Sequence, residues 1–314
     1  MTHSILPNES ALEDYETDLM LEAQTPSEWT DEELQYSIIV SPTSPGDDRF
    51  RIPARATRPS TLQFPFSTIC LLERKHRDGT TSRVSGTLIA PQVVLTARHC
   101  LVKPANPVLS IRVSPGADLS AGTARHRRPA TPASIVAPRG RFRVHGTLDY
   151  GVIILPTAFR QPSRFMILQP RSTPRVATLL TIAGYPCDKA IGTMWGHSER
   201  IPLSSVSPTQ LNYTMDTCPG HSGSPVWLLG NDQIRILLGV HTSGLGGAGR
   251  CPNDPTGKRC VPPAKGGGAP PAVAGQNRGV RITCDVIRQI RRWCADFRVR
   301  GPLTDSEFAR ACGR

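Results

Sequence analysis

The sequence predicts an all-β protein, and three observations carry that expectation. Short runs rich in β-branched, aliphatic and aromatic residues recur from Phe64 onward, Gly and Pro break them at close intervals, and one stretch near the end has helical spacing instead. In chain order the runs are Phe66 to Leu72, Arg83 to Ile89, Val93 to Ala97, Leu109 to Val113, Gly151 to Leu155, Ala177 to Ala183, Gln210 to Met215, Pro225 to Leu229, Ile234 to Thr242 and Gly279 to Thr283. Strands in this number suffice for two barrels. In the helical stretch Val286, Ile287, Ile290, Trp293, Cys294 and Phe297 fall on one stripe with Arg288, Arg291 and Arg292 between them, so its apolar side is expected on the second barrel. Residues 243–278 are rich in Gly and Pro and have no periodicity; they read as an irregular surface insertion whose first half Cys251 and Cys260 could close.

Charge is spread unevenly. The first 36 residues hold 10 of the 25 acids and no Lys or Arg, which leaves 37 basic against 15 acidic residues on the rest, a formal +22. Such a body attracts anions at long range: nucleic acid, an anionic surface or an acidic peptide. Aromatic residues for base stacking are few and the basic residues are scattered, so no nucleic-acid partner is expected. No apolar run approaches the ~18 residues that cross a bilayer, and a soluble protein with no membrane partner is expected. The N-terminus shows neither the basic nor the apolar region of a signal peptide, whereas nine cysteines favour an oxidising setting.

The strongest local signal is Cys218-Pro219-Gly220-His221-Ser222-Gly223-Ser224-Pro225-Val226. A nucleophilic serine needs a tight turn and backbone N–H groups aimed at a developing oxyanion, and the flanking Gly220 and Gly223 permit both. Taken alone, the same residues can equally form a plain turn. A base must accept the serine proton, and a third group must orient that base. His99 follows the apolar run Val94-Leu95-Thr96-Ala97, and Asp149 stands at the mouth of another, Gly151-Val152-Ile153. The Cys251 to Cys260 spacing does not match a zinc knuckle, so neither a metal nor an organic cofactor is expected.

These stretches carry a resemblance. Thr96-Ala97-Arg98-His99-Cys100, Asp149-Tyr150-Gly151-Val152-Ile153 and Gly220-His221-Ser222-Gly223-Ser224-Pro225-Val226 are similar to the histidine, aspartate and serine motifs of chymotrypsin-like serine peptidases, in that order. Within that group the chain resembles bacterial glutamyl endopeptidases, through Gly46-Asp47-Asp48-Arg49, Ala183-Gly184-Tyr185-Pro186, Asp188-Lys189, Gly192-Thr193, Trp195, His197-Ser198, Tyr213, Met215-Asp216-Thr217, Val240-His241-Thr242, Asn277-Arg278-Gly279 and Arg281-Ile282-Thr283. The resemblance implies two six-stranded antiparallel β-barrels with a C-terminal helix. It implies His99 as general base, Asp149 as its orienter, Ser222 as nucleophile, and the N–H groups of Gly220 and Ser222 as oxyanion hole. Thr217 and His241 would bind an acidic substrate side chain, since a carboxylate leaving water must be given hydrogen bonds. His241 can instead be a satisfied core histidine. The activity implied is endopeptidase cleavage after Glu, secondarily Asp, by a secreted monomer acting on polypeptides with acidic residues. A protease-like module without strong activity that binds anionic partners remains the second reading.

Departures from the pattern stand out. Arg98 replaces a small residue before the base. Val84 replaces a cysteine that in relatives pairs with the one after the histidine, leaving Cys100 reduced or matched with Cys70. Cys218 is placed to pair with Cys251, in competition with Cys260. The domain reading is an acidic pro-segment or tail over 1–36, a protease domain over 37–298 and a C-terminal tail over 299–314.

Overall fold

A computed structural model describes residues 49–53, 60–119, 133–170, 178–201, 206–229, 235–243 and 277–313. The acidic segment 1–36, Cys251, Cys260 and most of the Gly/Pro-rich insertion lie outside the described residues.

Fourteen strands build two antiparallel sheets. The first is formed by β2 (Ile69–His76), β3 (Thr81–Ala90), β4 (Val93–Thr96), β5 (Val108–Pro115), β6 (Ile135–Pro138), β7 (Phe142–Val144) and β8 (Gly151–Ile154), in the order β6-β5-β2-β3-β4-β8-β7. The second is formed by β1 (Phe50–Ile52), β9 (Thr178–Gly184), β10 (Met194–Ile201), β11 (Gln210–Tyr213), β12 (Pro225–Leu229), β13 (Arg235–Ser243) and β14 (Asn277–Arg281), in the order β1-β10-β9-β12-β13-β14-β11. Every expected run overlaps a strand among the described residues, although Phe66–Thr68 forms a single 3-10 turn before β2 and Ala177 and Ile234 lie outside the described residues. Each sheet has seven strands rather than six, and the additions include β1 and β7, three residues each, too short to show a period of two.

Each sheet buries its own apolar side. Leu72, Leu88, Val94, Ile111, Val113 and Ile153 form one core, and Leu180, Ile182, Leu211, Val226, Ile236 and Leu238 the other. Burying such side chains stabilises by about 1.5–3 kcal/mol each before entropy is charged. The two sheets meet where β3 runs beside the Gly220–Ser224 segment: the Ser85 N–H donates to the Ser222 carbonyl at 3.0 Å.

After β14 the Thr283 side chain caps helix α2 (Cys284–Asp296) by accepting the Val286 N–H at 3.3 Å; the single-turn helix α1 (Arg98–Leu101) precedes it in the chain. The expectation that α2 packs on the second barrel is corrected. Its aromatic stripe meets the first sheet: α2 touches β8, the Trp293 ring lies 5.7 Å from that of Tyr150, and Arg143 of β7 stacks on Phe297 at 4.4 Å. Thr283 follows the end of β14, a strand of the second sheet, by two residues, so the helix carries the chain back to the first sheet. Residues 299–314, expected as a tail, contain a further helix, α3 (Asp305–Cys312), tied to α2 by the Cys284–Cys312 disulfide. Its start is a capping box, with Thr304 and Glu307 satisfying each other's backbone N–H groups.

Ile290 is fully buried on α2. Ile290→Ala is expected to cost about 2–5 kcal/mol of stability, read as a lower urea midpoint; an unchanged midpoint would mean that the helix is not part of the cooperative core.

Candidate active site

β4 ends at Thr96, and α1 immediately turns the chain so that His99 projects beside the loop leading into β8. That loop is fixed from within. The His145 ring stacks on Tyr150 at 5.0 Å, its Nδ1 accepts the Leu148 N–H at 2.9 Å, and Arg98 donates to the Gly146 carbonyl at 2.7 Å. The Arg98 guanidinium is therefore directed at the loop that carries Asp149 and braces it. Asp149 then takes two hydrogen bonds from one residue: Oδ1 accepts the His99 backbone N–H at 2.9 Å and Oδ2 accepts Nδ1–H at 2.8 Å. The second bond fixes the tautomer and leaves Nε2 as the basic nitrogen. Burial disfavours the Asp149 carboxylate, but the imidazole and the local N–H groups outweigh it and hold the carboxyl below its ordinary range.

Ser222 sits after a tight turn. The His221 N–H donates to the Cys218 carbonyl at 3.0 Å, with Pro219 and Gly220 at the corner and Gly220 at φ +104°. A side chain at Gly220 would meet the Tyr185 carbonyl at 2.4 Å, and one at Gly223 (φ +87°) the Ser85 carbonyl at 2.1 Å. Only glycine fits either place. The Pro219 carbonyl accepts the Cys187 N–H at 2.8 Å. Because a trans peptide is planar, with C=O and N–H opposed, this contact turns the Gly220 N–H the other way. Among the described residues neither the Gly220 nor the Ser222 N–H makes a hydrogen bond. Gly220, Ser222 and His99 line one cleft.

Both sheets hold this segment. From the first, the buried Ser85 hydroxyl donates to the Gly220 carbonyl at 2.8 Å and accepts the Tyr185 N–H at 2.8 Å. From the second, the His241 carbonyl accepts the Gly223 N–H at 2.8 Å, and the His241 N–H donates to the Ser224 carbonyl at 2.9 Å. Sequence reasoning missed Ser85; it stands beside Val84, the position where relatives place a cysteine.

Beneath the pair lies Cys100, a buried thiol that is not joined to Cys70, itself a buried thiol. Its Sγ is 3.6 Å from the Ser222 carbonyl, and the thiol interacts electrostatically with the His99 imidazole. Burial pushes the thiol pKa up, but His99 and Arg74 outweigh that and pull it down. For His99, burial disfavours the imidazolium, yet Cys100 and Asp149 together raise its pKa well above the ordinary histidine value.

His221 also escaped sequence reasoning, although it adjoins the predicted nucleophile. Its ring is fully buried; Nδ1 accepts the Cys218 N–H at 3.1 Å and Nε2 faces the Trp195 carbonyl at 3.4 Å. The ring thus braces the turn that presents Gly220. Burial and the Arg49 charge lower its pKa to about 4, so it is neutral near pH 7. Arg49 itself is clamped on Asp188 by two bonds, at 3.0 and 2.5 Å. Cys218, expected as a partner of Cys251, is a buried thiol, and Cys187 is the disulfide-bonded residue of this wall.

Of the two residues expected to take an acidic side chain, His241 is only 2 % exposed. The Tyr213 hydroxyl meets Nδ1 at 2.6 Å. Burial lowers the His241 pKa to about 3, and burial raises that of Tyr213, so a phenol donates to a neutral imidazole and Nε2 carries the proton. Among the described residues His241 makes no other side-chain hydrogen bond. Thr217 is half-buried on the segment between β11 and the turn, and its hydroxyl makes no hydrogen bond among the described residues. No hydrogen bond joins Thr217 to His241.

Known proteins are similar to this chain in sequence and in fold. The glutamyl endopeptidase of Bacillus licheniformis is 28% identical over 253 residues, covering 79% of this chain and 67% of that protein. A Bacillus subtilis protein named extracellular metalloprotease is 27% identical over 274 residues, 86% of this chain and 74% of its own length. The described residues include no grouping of three or more His, Cys, Asp or Glu placed to hold a metal ion. A solved structure of a Glu endopeptidase in complex with MPD superposes with a TM-score of 0.55 at 22% identity, over 79% of this chain and 97% of that one, and so shares the fold. The model of the family described as Trypsin matches residues 62–256, a span that includes His99, Asp149 and Ser222, and with it the chain belongs to the trypsin family, as a chymotrypsin-like serine endopeptidase.

Proposed function

We propose that the chain hydrolyses peptide bonds through an acyl-enzyme and prefers Glu, then Asp, before the scissile bond. The observation that carries the proposal is His99, bonded to Asp149, lining one cleft with Ser222, beside a Gly220 N–H turned away from Cys187. Ser222 Oγ attacks the carbonyl carbon while His99 Nε2 takes its proton, and the Asp149 carboxylate stabilises the imidazolium. The oxyanion is received by the N–H groups of Gly220 and Ser222, worth about 2.7–4 kcal/mol per donor. His99 next protonates the departing amine. A water deprotonated by His99 then splits the ester, returning the proton to Ser222. Apart from that water, these steps use the chain's own side chains and backbone.

The preference for an acid is supported by the state of His241. A buried imidazolium would be costly, but the Tyr213 hydroxyl lets the ring stay neutral and still offer Nε2–H to a carboxylate. The Thr217 hydroxyl supplies a second donor.

Ser222→Ala is expected to reduce kcat on Glu-containing peptides by at least about 10⁴-fold and to remove labelling by an organophosphate; retained turnover would refute the serine mechanism. His241→Ala should cut the Glu over Gln ratio of kcat/KM by about tenfold or more, measured on paired peptides, and a preserved ratio would remove His241 from the pocket.

The His99 shift sets a pH dependence. A raised pKa keeps the base protonated to higher pH, so kcat/KM rises with pH through a limb above the usual histidine value of about 6.5. Cys100→Ala should move that limb down in a stopped assay across pH 5–10; a limb that stays in place would show that the thiol does not act on the base.

A further inference from the structure

The cleft that holds His99 and Ser222 extends away from Thr217 and His241, neither of which lines it. Its volume is about 200 Å³, room for one or two side chains. Four cations line it, Arg74, Arg83, Lys103 and Lys189, and no Asp or Glu does. Arg83 shares its charge with Glu73 at 3.1 Å, Arg74 is buried and donates to the Cys100 carbonyl at 3.3 Å, and Lys189 lies 4.3 Å from the centre of the Trp195 ring. Lys103 comes four residues after His99 on the same wall. A concave surface of one charge sign with low-dielectric walls concentrates potential within it.

We infer that this cleft is a second acid-reading subsite, which binds carboxylate side chains on the leaving-group side of the scissile bond. Its direction rests on the function proposed above. The departing amine takes its proton from His99, so the chain beyond it enters the wall that His99 shares with Lys103, while the acyl side lies toward Thr217 and His241. Lys103 and Lys189 are the specificity-determining residues of the subsite. Substrates with acids on both sides of the cut are then favoured over those with a single acid.

The test uses peptides that mimic the leaving half, with a free amine and a C-terminal fluorophore: Ala-Asp-Glu-Ala, its neutral counterpart Ala-Asn-Gln-Ala and the basic Ala-Lys-Lys-Ala. Each is titrated by anisotropy into the full chain carrying Ser222→Ala, at low and high salt. The acidic peptide is expected to bind about fivefold or more tightly than the neutral one at low salt, the basic one more weakly, with the difference shrinking as salt screens it. Lys103→Glu with Lys189→Glu should abolish the difference, whereas Arg112→Glu, an exposed charge on β5 outside the cleft, should keep it. Equal binding of all three peptides, or a preference that survives the double charge reversal, overturns the proposal. No bond is cleaved, and the Lys103 and Lys189 reversals alter this cleft while leaving Thr217 and His241 untouched, so absence of Glu cleavage and absence of this subsite are read separately.

Discussion

The geometry of the cleft depends on one short stretch of backbone, Gly220 to Ser224, being hydrogen-bonded from both sheets at once. Ser85 reaches it from β3 through its N–H and its hydroxyl, and His241 reaches it from β13 through its carbonyl and its N–H. Each bond on its own is worth only ~1 kcal/mol net, but these groups are buried, and leaving one without a partner costs about 1–3 kcal/mol. The two sheets therefore cannot slide against each other without stranding polar groups. Their relative register is set beside the cleft that His99 and Ser222 line.

Around this seam the protein controls charge through burial and partners. His221 and His241 are both buried, both neutral and both hold an Nδ1 acceptor, one for the Cys218 N–H and one for the Tyr213 hydroxyl. His99 differs. It is half exposed and has Asp149 and Cys100 against it, which favour the imidazolium. Three imidazoles of the same intrinsic basicity are thereby divided between two fixed hydrogen-bonding roles and one that, in the proposed mechanism, moves a proton.

Much of this was legible in the sequence. Continuous apolar runs marked the central strands because these are buried over most of their length, β3 over Val84–Ala90 and β13 over Ile236–His241, and small residues around Ser222 marked its turn. Strands β1, β6, β7 and β10 were not read: β1 and β7 have three residues and carry no periodicity, β6 is only four long, and β10 sets Gly196, His197, Ser198, Glu199 and Arg200 between its apolar ends. Helix α3 was legible but unread: Thr304 and Glu307 spell a capping box, while the weak apolar stripe behind them buries no residue fully. The docking face of α2 could not be read because spacing reveals an apolar stripe and not what covers it. His221 and Ser85 were hidden for another reason. Their work is done by hydrogen bonds to backbone atoms over 100 residues away in the case of Ser85, and no local pattern records such a contact.

The position of α2 bears on the candidate acid. Its Trp293 packs on Tyr150, the neighbour of Asp149, so the footing of that carboxylate comes from a segment that follows every described strand in the chain. A change far along the sequence, at Trp293, is thus passed to Asp149 through a single ring contact, with no strand between them.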